Sequence, residues 1–149
     1  MTAPPAVSVM IPVHNRRDPI ARAVDSVLAQ TFRDFELIVV DDGSDDGTGE
    51  VLAAYGDRLT VIRQERAGVS AARNRGVAAS RGPLLAFLDS DDWWLPEKLA
   101  AQVEFFRTRP DAALCQTEEL WLRNGRRVNP GTRHKKRTAR PSSVPWNFA

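Results

Sequence analysis

A regular alternation of apolar runs and helical segments constrains this chain more than any other feature. The runs Val7–Ile11, Phe35–Val40, Leu59–Ile62 and Leu84–Leu88 are rich in aliphatic residues and read as strands. Strands that alternate with helices of about ten residues pair in parallel through right-handed crossovers, and near-continuous apolar strands belong in a sheet covered on both faces. The pattern predicts an α/β fold: a doubly wound, mainly parallel sheet with helices on both faces.

Capping and turn residues set the predicted helix boundaries. Proline and glycine signals place four helices at residues 18–30, 49–55, 68–81 and 96–107, and Pro12 is expected to end the first strand. Residues 112–122 are predicted to form a further strand, which Asn124-Gly125 turns into a hairpin.

The polar loops after three of the strands are expected to meet. In an open parallel sheet, ligands bind beyond the carboxyl ends of the strands, near the point where the strand order reverses. Pro12–Asn15, Asp41–Ser44 and Asp89–Asp92 follow the first, second and fourth strands. We therefore expect these loops to share one rim of the sheet.

Three carboxylates leave the fourth strand together, at Asp89, Asp91 and Asp92. Such a cluster repels itself and is costly to desolvate, so it usually faces a divalent cation or an arginine. Carboxylates in this spacing suit Mg²⁺ or Mn²⁺ held together with phosphate oxygens and water. The structural alternative is helix capping, for which Asp92 is the best placed.

Several common functional classes lack their signatures. No glycine-rich G-x-G-x-x-G follows the first strand, and no Walker sequence occurs. Cys115 is the single cysteine, so it forms no internal disulfide. The sequence has only two histidines, His14 and His134, so it lacks the cysteine and histidine pattern of a zinc site.

Composition and charge indicate an ordinary globular chain with a basic end. Residues 1–119 carry a net charge of −6, whereas residues 120–149 carry +8 and no carboxylate. No apolar run approaches the roughly 20 residues that span a bilayer, and the first residues lack a signal-peptide pattern. We expect a cytoplasmic location, with peripheral contact at the inner membrane face.

Four ordered motifs carry a family resemblance: VSVMIPVHN, FELIVVDDGSDDGT, GVSAARNRG and FLDSDDWWLPEKL. In this order and spacing they resemble the family 2 glycosyltransferases of GT-A fold, over about residues 5–128. The resemblance implies transfer of a sugar from a nucleoside-diphosphate sugar, in particular a UDP-sugar, to an acceptor hydroxyl. It also implies Mn²⁺ or Mg²⁺ as cofactor and an acceptor that is a saccharide or a lipid-linked saccharide of the cell envelope.

The resemblance also assigns roles to residues. The aspartate matching Asp42 accepts a hydrogen bond from the ring N–H of uracil, whereas Asp41, Asp45 and Asp46 suit turn positions. The first loop lines the nucleoside pocket; its members are Pro12, Val13, His14 and Asn15.

Further roles follow for the acidic motif and for the helix before it. Asp89-Ser90-Asp91 matches the Asp-X-Asp motif, with the metal on Asp91 and with Asp89 against the ribose or the metal shell. Arg73 is expected either to reach the diphosphate or to pair with an aspartate of the rim, and Arg75 is expected to be a solvated surface charge.

The two tryptophans and the basic tail each allow a functional and a structural interpretation. Trp93 and Trp94 suit a sugar platform, although aromatic residues beside a core strand more often pack in the core. The basic tail lacks interleaved aromatics before Trp146, so we discount nucleic acid as a partner.

The resemblance stops short of a complete enzyme. No Asp or Glu follows Glu119, so residues 120–149 supply no general base for the acceptor hydroxyl. We interpret the chain as a donor-binding half-domain, residues 1–128, followed by a tail, residues 129–149, and expect little turnover alone and self-association through an exposed face. The alternative is a noncatalytic nucleotide-binding or interaction module. A sugar nucleotidyltransferase is disfavoured because Pro12–Asn15 is neither glycine-rich nor basic.

Overall fold

The computed structural model describes residues 3–117 and 119–128. They fall into two compact units that divide after Cys115. The first unit contains the sheet and its helices, and the second contains a small hairpin. The predicted tail from residue 129 onward lies outside the described residues, and the predicted boundary after residue 128 stays a prediction.

The first unit alternates strands and helices as the sequence predicts. Its strands are β1 Val7–Val13, β2 Phe35–Asp42, β3 Thr60–Gln64 and β4 Leu84–Phe87. Its helices are α1 Arg17–Leu28, α2 Thr48–Ala53, α3 Val69–Ala79 and α4 Lys98–Thr108, with a 3-10 turn at Gly56–Arg58. In the described residues, no helix combines the length and apolar character needed to cross a bilayer.

The four strands form one parallel sheet in the order β3-β2-β1-β4. The order reverses between β1 and β4, because the chain first steps outward from β1 to β3 and then returns to the other side of β1. All four carboxyl ends therefore lie at one edge of the sheet, and the loops that follow them share that edge. The predicted α/β, doubly wound fold is confirmed.

Helices cover both faces of the sheet. On one face, Val9 and Ile11 of β1 pack in a cluster that includes Val24 of α1, Leu52 of α2 and Leu99 of α4. On the other face, α3 covers a smaller cluster made of Met10, Ile38, Val40 and Ala72. The alternation of side chains along each strand explains why neighbouring residues of β1 enter different clusters.

Gly76 permits the close approach of α3 to the sheet. A Cβ at this position would lie 3.0 Å from Cγ of Met10, so a larger residue would push the helix outward.

The end of the first strand differs from the prediction. Pro12 lies inside β1, which continues to Val13. β4 pairs with β1 only as far as Met10, so the missing N–H of Pro12 falls where β1 has a single neighbouring strand, and the strand tolerates it.

The strand predicted over residues 112–122 is also wrong over most of its length. Among the described residues of this region, only Trp121–Arg123 is a paired strand, and its partner is Arg126–Val128 across the predicted Asn124-Gly125 turn. Leu114, within the predicted strand, is 81% exposed, so its side chain packs against little.

Asp92 does not cap the helix after the acidic motif, contrary to the expectation for it. That helix begins at Lys98, and its N-cap residue Glu97 makes no side-chain cap. Instead the buried Gln30 accepts a hydrogen bond from the backbone N–H of Leu99 at 2.9 Å and donates to the carbonyl of Leu95 at 2.8 Å. Gln30, two residues after the end of α1, thus provides a hydrogen-bond acceptor for a backbone N–H at the start of α4.

A network of hydrogen bonds lies at the edge of the sheet opposite to the carboxyl ends of the strands. Glu36 accepts hydrogen bonds from the Ser8 hydroxyl at 2.6 Å and from the backbone N–H and Nε of Arg81 at 2.7 and 2.8 Å. The Ser8 hydroxyl in turn accepts from the N–H of Gly82. Burial acts to raise the pKa of Glu36, but these hydrogen bonds and the charge of Arg81 outweigh it, so its pKa lies below the usual value.

The lowered pKa of Glu36 predicts a pH-dependent contribution to stability. The folded state holds this proton less tightly than the unfolded chain, so the contribution is present above the usual pKa of 4.5 and is lost as the pH falls through the folded value. Glu36→Gln is expected to lower the free energy of unfolding by about 1–2 kcal/mol at pH 7 and by much less near pH 3. Urea unfolding at both pH values measures this, with the exposed Glu65→Gln as control; an equal loss at both would contradict it.

Candidate functional site

An open cleft of about 580 Å³ lies at the carboxyl edge of the sheet. Residues from all four strand-end loops and from the start of α3 line it. They are Pro12, Val13, His14, Arg16, Asp42, Arg66, Val69, Ala72, Arg73, Asp89, Ser90 and Asp91. Of the nine residues that the sequence proposed for the site, eight therefore share one cleft, and Asn15 is the exception.

Asp42 is the last residue of β2 and is nearly buried. One carboxylate oxygen, Oδ1, accepts from Nε2 of Gln64 at 2.7 Å and from the N–H of Ala67 at 2.8 Å, while Oδ2 accepts from the N–H of Gly68 at 2.8 Å. Burial acts to raise the pKa of Asp42, but these hydrogen bonds outweigh it and hold the pKa below its usual value. The group is therefore an ionised carboxylate, which can only accept hydrogen bonds.

His14 is held against Asp42 by a hydrogen bond of 2.8 Å between its Nδ1 and the Asp42 backbone carbonyl. Because a carbonyl can only accept, Nδ1 carries the proton. In the neutral ring Nε2 is then an acceptor, and the imidazole is fixed in orientation beside the cleft.

Asn15 connects two loops instead of lining the cleft. Its side chain exchanges two hydrogen bonds with Asp45, each 2.9 Å long, and its backbone N–H donates to the Ser44 hydroxyl. Its φ of 50° turns the chain sharply after β1. Asn15 thereby joins the loop after β1 to the loop after β2.

Arg73 and Asp89 form an ion pair across the cleft, with 2.7 Å between Nη2 and Oδ1. This realises the structural alternative that the sequence left open for Arg73. Ser90 is buried, whereas Asp91 is exposed. In residues 3–117 and 119–128, no group of three or more His, Cys, Asp or Glu side chains is arranged to hold a metal ion.

Two other acidic residues of the β2–α2 segment, Asp41 and Asp46, hold turns, as the sequence indicates, whereas the side chain of Asp45 binds Asn15. Asp41 accepts from the N–H of Ser44 at 2.9 Å, and Asp46 accepts from the N–H of Thr48 at 3.0 Å. Arg75, expected to be a surface charge, is exposed.

The two tryptophans after the acidic motif take different positions. Trp94 is buried in the core and carries Lys98 over its ring, at 4.2 Å from the ring centroid. Trp93 is 39% exposed, with the guanidinium carbon of Arg22 at 3.8 Å from the ring centroid. Neither lines the cleft, so packing prevails for Trp94.

Sequence reasoning missed two cations of the cleft, Arg16 and Arg66. The available signal was the fourth parallel strand end: β3 also ends at this edge, so residues 65–68 had to lie beside the other three loops. The Arg16 guanidinium donates to the carbonyl of Asn15, and neither arginine forms a salt bridge in the part of the chain that the structure describes.

A cleft with carboxylates and guanidinium groups, placed where the strand order of a doubly wound sheet reverses, is the arrangement of nucleotide-binding α/β proteins. Comparison with known proteins identifies the family within this class. The chain belongs to glycosyl transferase family 2, because the model of that family matches residues 8–143.

Relatives and solved structures agree with this family. TuaG of Bacillus subtilis, named provisionally as a teichuronic acid biosynthesis glycosyltransferase, is 43% identical over 125 residues, which cover 81% of this chain and 50% of TuaG. The S. aureus TarS fragment solved with UDP-GlcNAc superposes with a TM-score of 0.66 at 30% identity, over 70% of this chain and 32% of that one.

A second solved structure carries a different nucleotide. The mannosyltransferase PcManGT of Pyrobaculum calidifontis, solved with GDP-Man and Mn²⁺, gives a TM-score of 0.62 at 27% identity, over 70% of this chain and 33% of that one. These neighbours are GT-A glycosyltransferases, which confirms the predicted fold. The chain spans about half the length of TuaG and about a third of the two solved chains.

Proposed function

We propose that this chain binds the donor of a glycosyl transfer, a UDP-sugar, in the cleft at the carboxyl edge of the sheet, for transfer of the sugar to an acceptor hydroxyl. One observation carries the proposal: Asp42 and Asp91 line the same cleft. Asp42 ends β2, Asp91 follows β4, and β1 lies between them. Two strand spacings are about 10 Å, a separation suited to holding a nucleobase at one end and a diphosphate at the other.

The base end of the cleft suits uracil. Asp42 is ionised and accepts three hydrogen bonds from the protein, and a carboxylate offers about four lone-pair sites. The position left on Oδ2 would accept the ring N–H of the base. His14, with its ring fixed by the Asp42 carbonyl, would contact the base or the ribose alongside Pro12 and Val13.

The diphosphate end suits a divalent cation that the substrate helps to hold. Asp91 is exposed, and the ion pair with Arg73 occupies one oxygen of Asp89. This donor set is too small to bind a metal alone, but Mg²⁺ and Mn²⁺ are usually held by one or two carboxylates together with phosphate oxygens. A bound cation would stabilise the negative charge that develops on the leaving nucleoside diphosphate.

In this reaction the residues of the chain would bind and position the donor. Arg73 would hold Asp89 in place, and the guanidinium group of Arg16 would add positive charge where the diphosphate lies. We further propose an acceptor that is a saccharide or lipid-linked saccharide of the cell envelope, reached from the cytoplasmic side of the membrane. TuaG, named for teichuronic acid biosynthesis, supports this choice.

A noncatalytic nucleotide-binding module is the second candidate, and one observation favours it. The sequence has no Asp or Glu after Glu119, so its last 30 residues offer no carboxylate to deprotonate an acceptor. Incubation with UDP-sugars and acceptor saccharides separates the two candidates, because only an enzyme releases UDP in proportion to glycosylated product.

Calorimetric titration tests donor binding directly. The folded chain is titrated with UDP in the presence of MnCl₂ and, separately, of EDTA. We expect saturable binding that is at least tenfold tighter with Mn²⁺. A folded sample that gives no binding heat in either buffer would refute the proposal.

A further inference from the structure

One side of α1 holds the backbone of the segment between β4 and α4. Three side chains that are spaced by four residues, and so lie along one side of a helix, bond to this backbone: Arg22, Ser26 and Gln30. The Ser26 hydroxyl accepts from the N–H of Trp94 at 3.1 Å. Nη2 of Arg22 lies 3.4 Å from the carbonyl oxygen of Asp91. Of the three side chains, Arg22 therefore contacts a residue that lines the cleft.

Arg22 makes two contacts with the acidic loop at once. Its guanidinium carbon lies 3.8 Å from the centroid of the Trp93 ring, and its Nη2 points to the Asp91 carbonyl. A guanidinium group is planar and carries its donors at the edge, so it can stack with its face and donate from its rim. In the part of the chain that the structure describes, Arg22 forms no salt bridge that would draw it away.

The orientation of Asp91 depends on its backbone. Within the acidic motif, an ion pair holds the Asp89 side chain, and Ser90 is buried. The Asp91 carboxylate is exposed and forms no salt bridge within residues 3–117 and 119–128. A hydrogen bond of 3.0 Å from the N–H of Asp92 to the carbonyl of Asp89 closes the turn that contains it. The contacts of Arg22 therefore restrain the backbone at the point from which the Asp91 side chain extends.

We infer that Arg22 is a positioning residue for Asp91: by holding the Asp91 carbonyl and the Trp93 ring, it keeps the Asp91 carboxylate where a divalent cation is bound. This inference rests on the proposed function, which places the cation on Asp91. A small dication binds in near-ideal geometry, so a carboxylate on a loose loop binds it less well. Arg22 does not line the cleft, so it acts through Asp91 and does not touch the donor.

Titration of wild type, Arg22→Ala and Arg22→Lys with UDP, in MnCl₂ and separately in EDTA, tests the inference. The ratio of the two UDP affinities is the Mn²⁺ effect. Arg22→Ala is expected to reduce the Mn²⁺ effect about threefold to fivefold, the value of an exposed cation–π contact, and to leave the affinity in EDTA within twofold of wild type. Arg22→Lys keeps the charge without the planar group and is expected to recover little of the effect.

Two further sets of variants show whether Arg22 acts through Trp93 and Asp91. Trp93→Ala is expected to lose as much of the Mn²⁺ effect as Arg22→Ala, and the double variant is expected to lose no more, because the two side chains form one contact. Trp93→Phe keeps an aromatic face and is expected to recover most of the effect. Adding Arg22→Ala to Asp91→Asn is expected to leave the UDP affinity in MnCl₂ unchanged.

Arg58→Ala is the matched control, because Arg58 makes the same kinds of contact away from the cleft. Its guanidinium carbon lies 4.9 Å from the centroid of the Tyr55 ring, and its Nε donates to the Tyr55 carbonyl at 3.1 Å. Arg58→Ala removes the same charge and is expected to keep the full Mn²⁺ effect. Thermal unfolding confirms that each variant is folded.

Different results overturn different claims. If wild type gives no binding with UDP, or binds it equally in both buffers, the proposed donor or metal site fails and the inference fails with it. If wild type shows the Mn²⁺ effect and Arg22→Ala keeps it in full, only the inference fails. It also fails if Arg22→Ala weakens UDP binding equally in MnCl₂ and EDTA, or if Arg22→Lys matches wild type, since Arg22 then acts through its charge alone.

Discussion

Asp42→Asn is expected to weaken UDP binding at least 30-fold and to destabilise the fold by roughly 1.5–3 kcal/mol. The asparagine amide replaces one acceptor oxygen with a donor, so at least one of the N–H groups of Ala67 and Gly68 loses its partner. The same change removes an acceptor for the ring N–H of the base. Calorimetry with UDP and urea unfolding measure the two effects separately.

Asp41→Asn is a matched control, since it changes the neighbouring buried carboxylate, which does not line the cleft. Asp41 accepts from the Ser44 N–H and lies 3.5 Å from Arg63, so its replacement is also expected to cost stability. Its UDP affinity is expected to stay within twofold of wild type. Equal losses of UDP affinity in the two variants would show that Asp42 acts only by holding the loops together.

Asp91→Asn is expected to abolish the dependence of UDP binding on Mn²⁺. A neutral amide is a poor ligand for a hard dication, so the variant should bind UDP in MnCl₂ as weakly as wild type does in EDTA. Loss of the metal contribution corresponds to a factor of at least ten in affinity, or about 1.4 kcal/mol or more. Titrations of both proteins in both buffers give this comparison.

Removal of an exposed carboxylate far from the cleft controls for net charge. Asp57, in the 3-10 turn Gly56–Arg58, serves for this purpose. Asp57→Asn is expected to keep the full Mn²⁺ effect. A full Mn²⁺ effect in Asp91→Asn as well would remove Asp91 as a metal ligand.

The architecture and the place of the site follow from local patterns. The apolar pattern of a strand and the residues that bound a helix can be recognised within short segments. Parallel strands bring their carboxyl ends to one edge of the sheet, so the sequence predicts that the loops after β1, β2 and β4 lie together. The same rule applied to β3 would have found Arg66. The predicted strand boundaries were wrong where a strand's extent depends on the strands beside it. Pro12 remains in β1, and within residues 112–122 strand pairing is confined to a short hairpin.

The sequence by itself determined the fold class, the edge that carries the cleft and most of the residues that line it, because these depend on spacing within single segments. Only the tertiary structure decided what each polar side chain binds. It turned Asn15 toward Asp45 and paired Arg73 with Asp89, and it filled three acceptor positions of Asp42 from the last residue of β3 and the loop after it. Each of these contacts joins residues between 16 and 30 positions apart, a distance over which no local pattern specifies a partner.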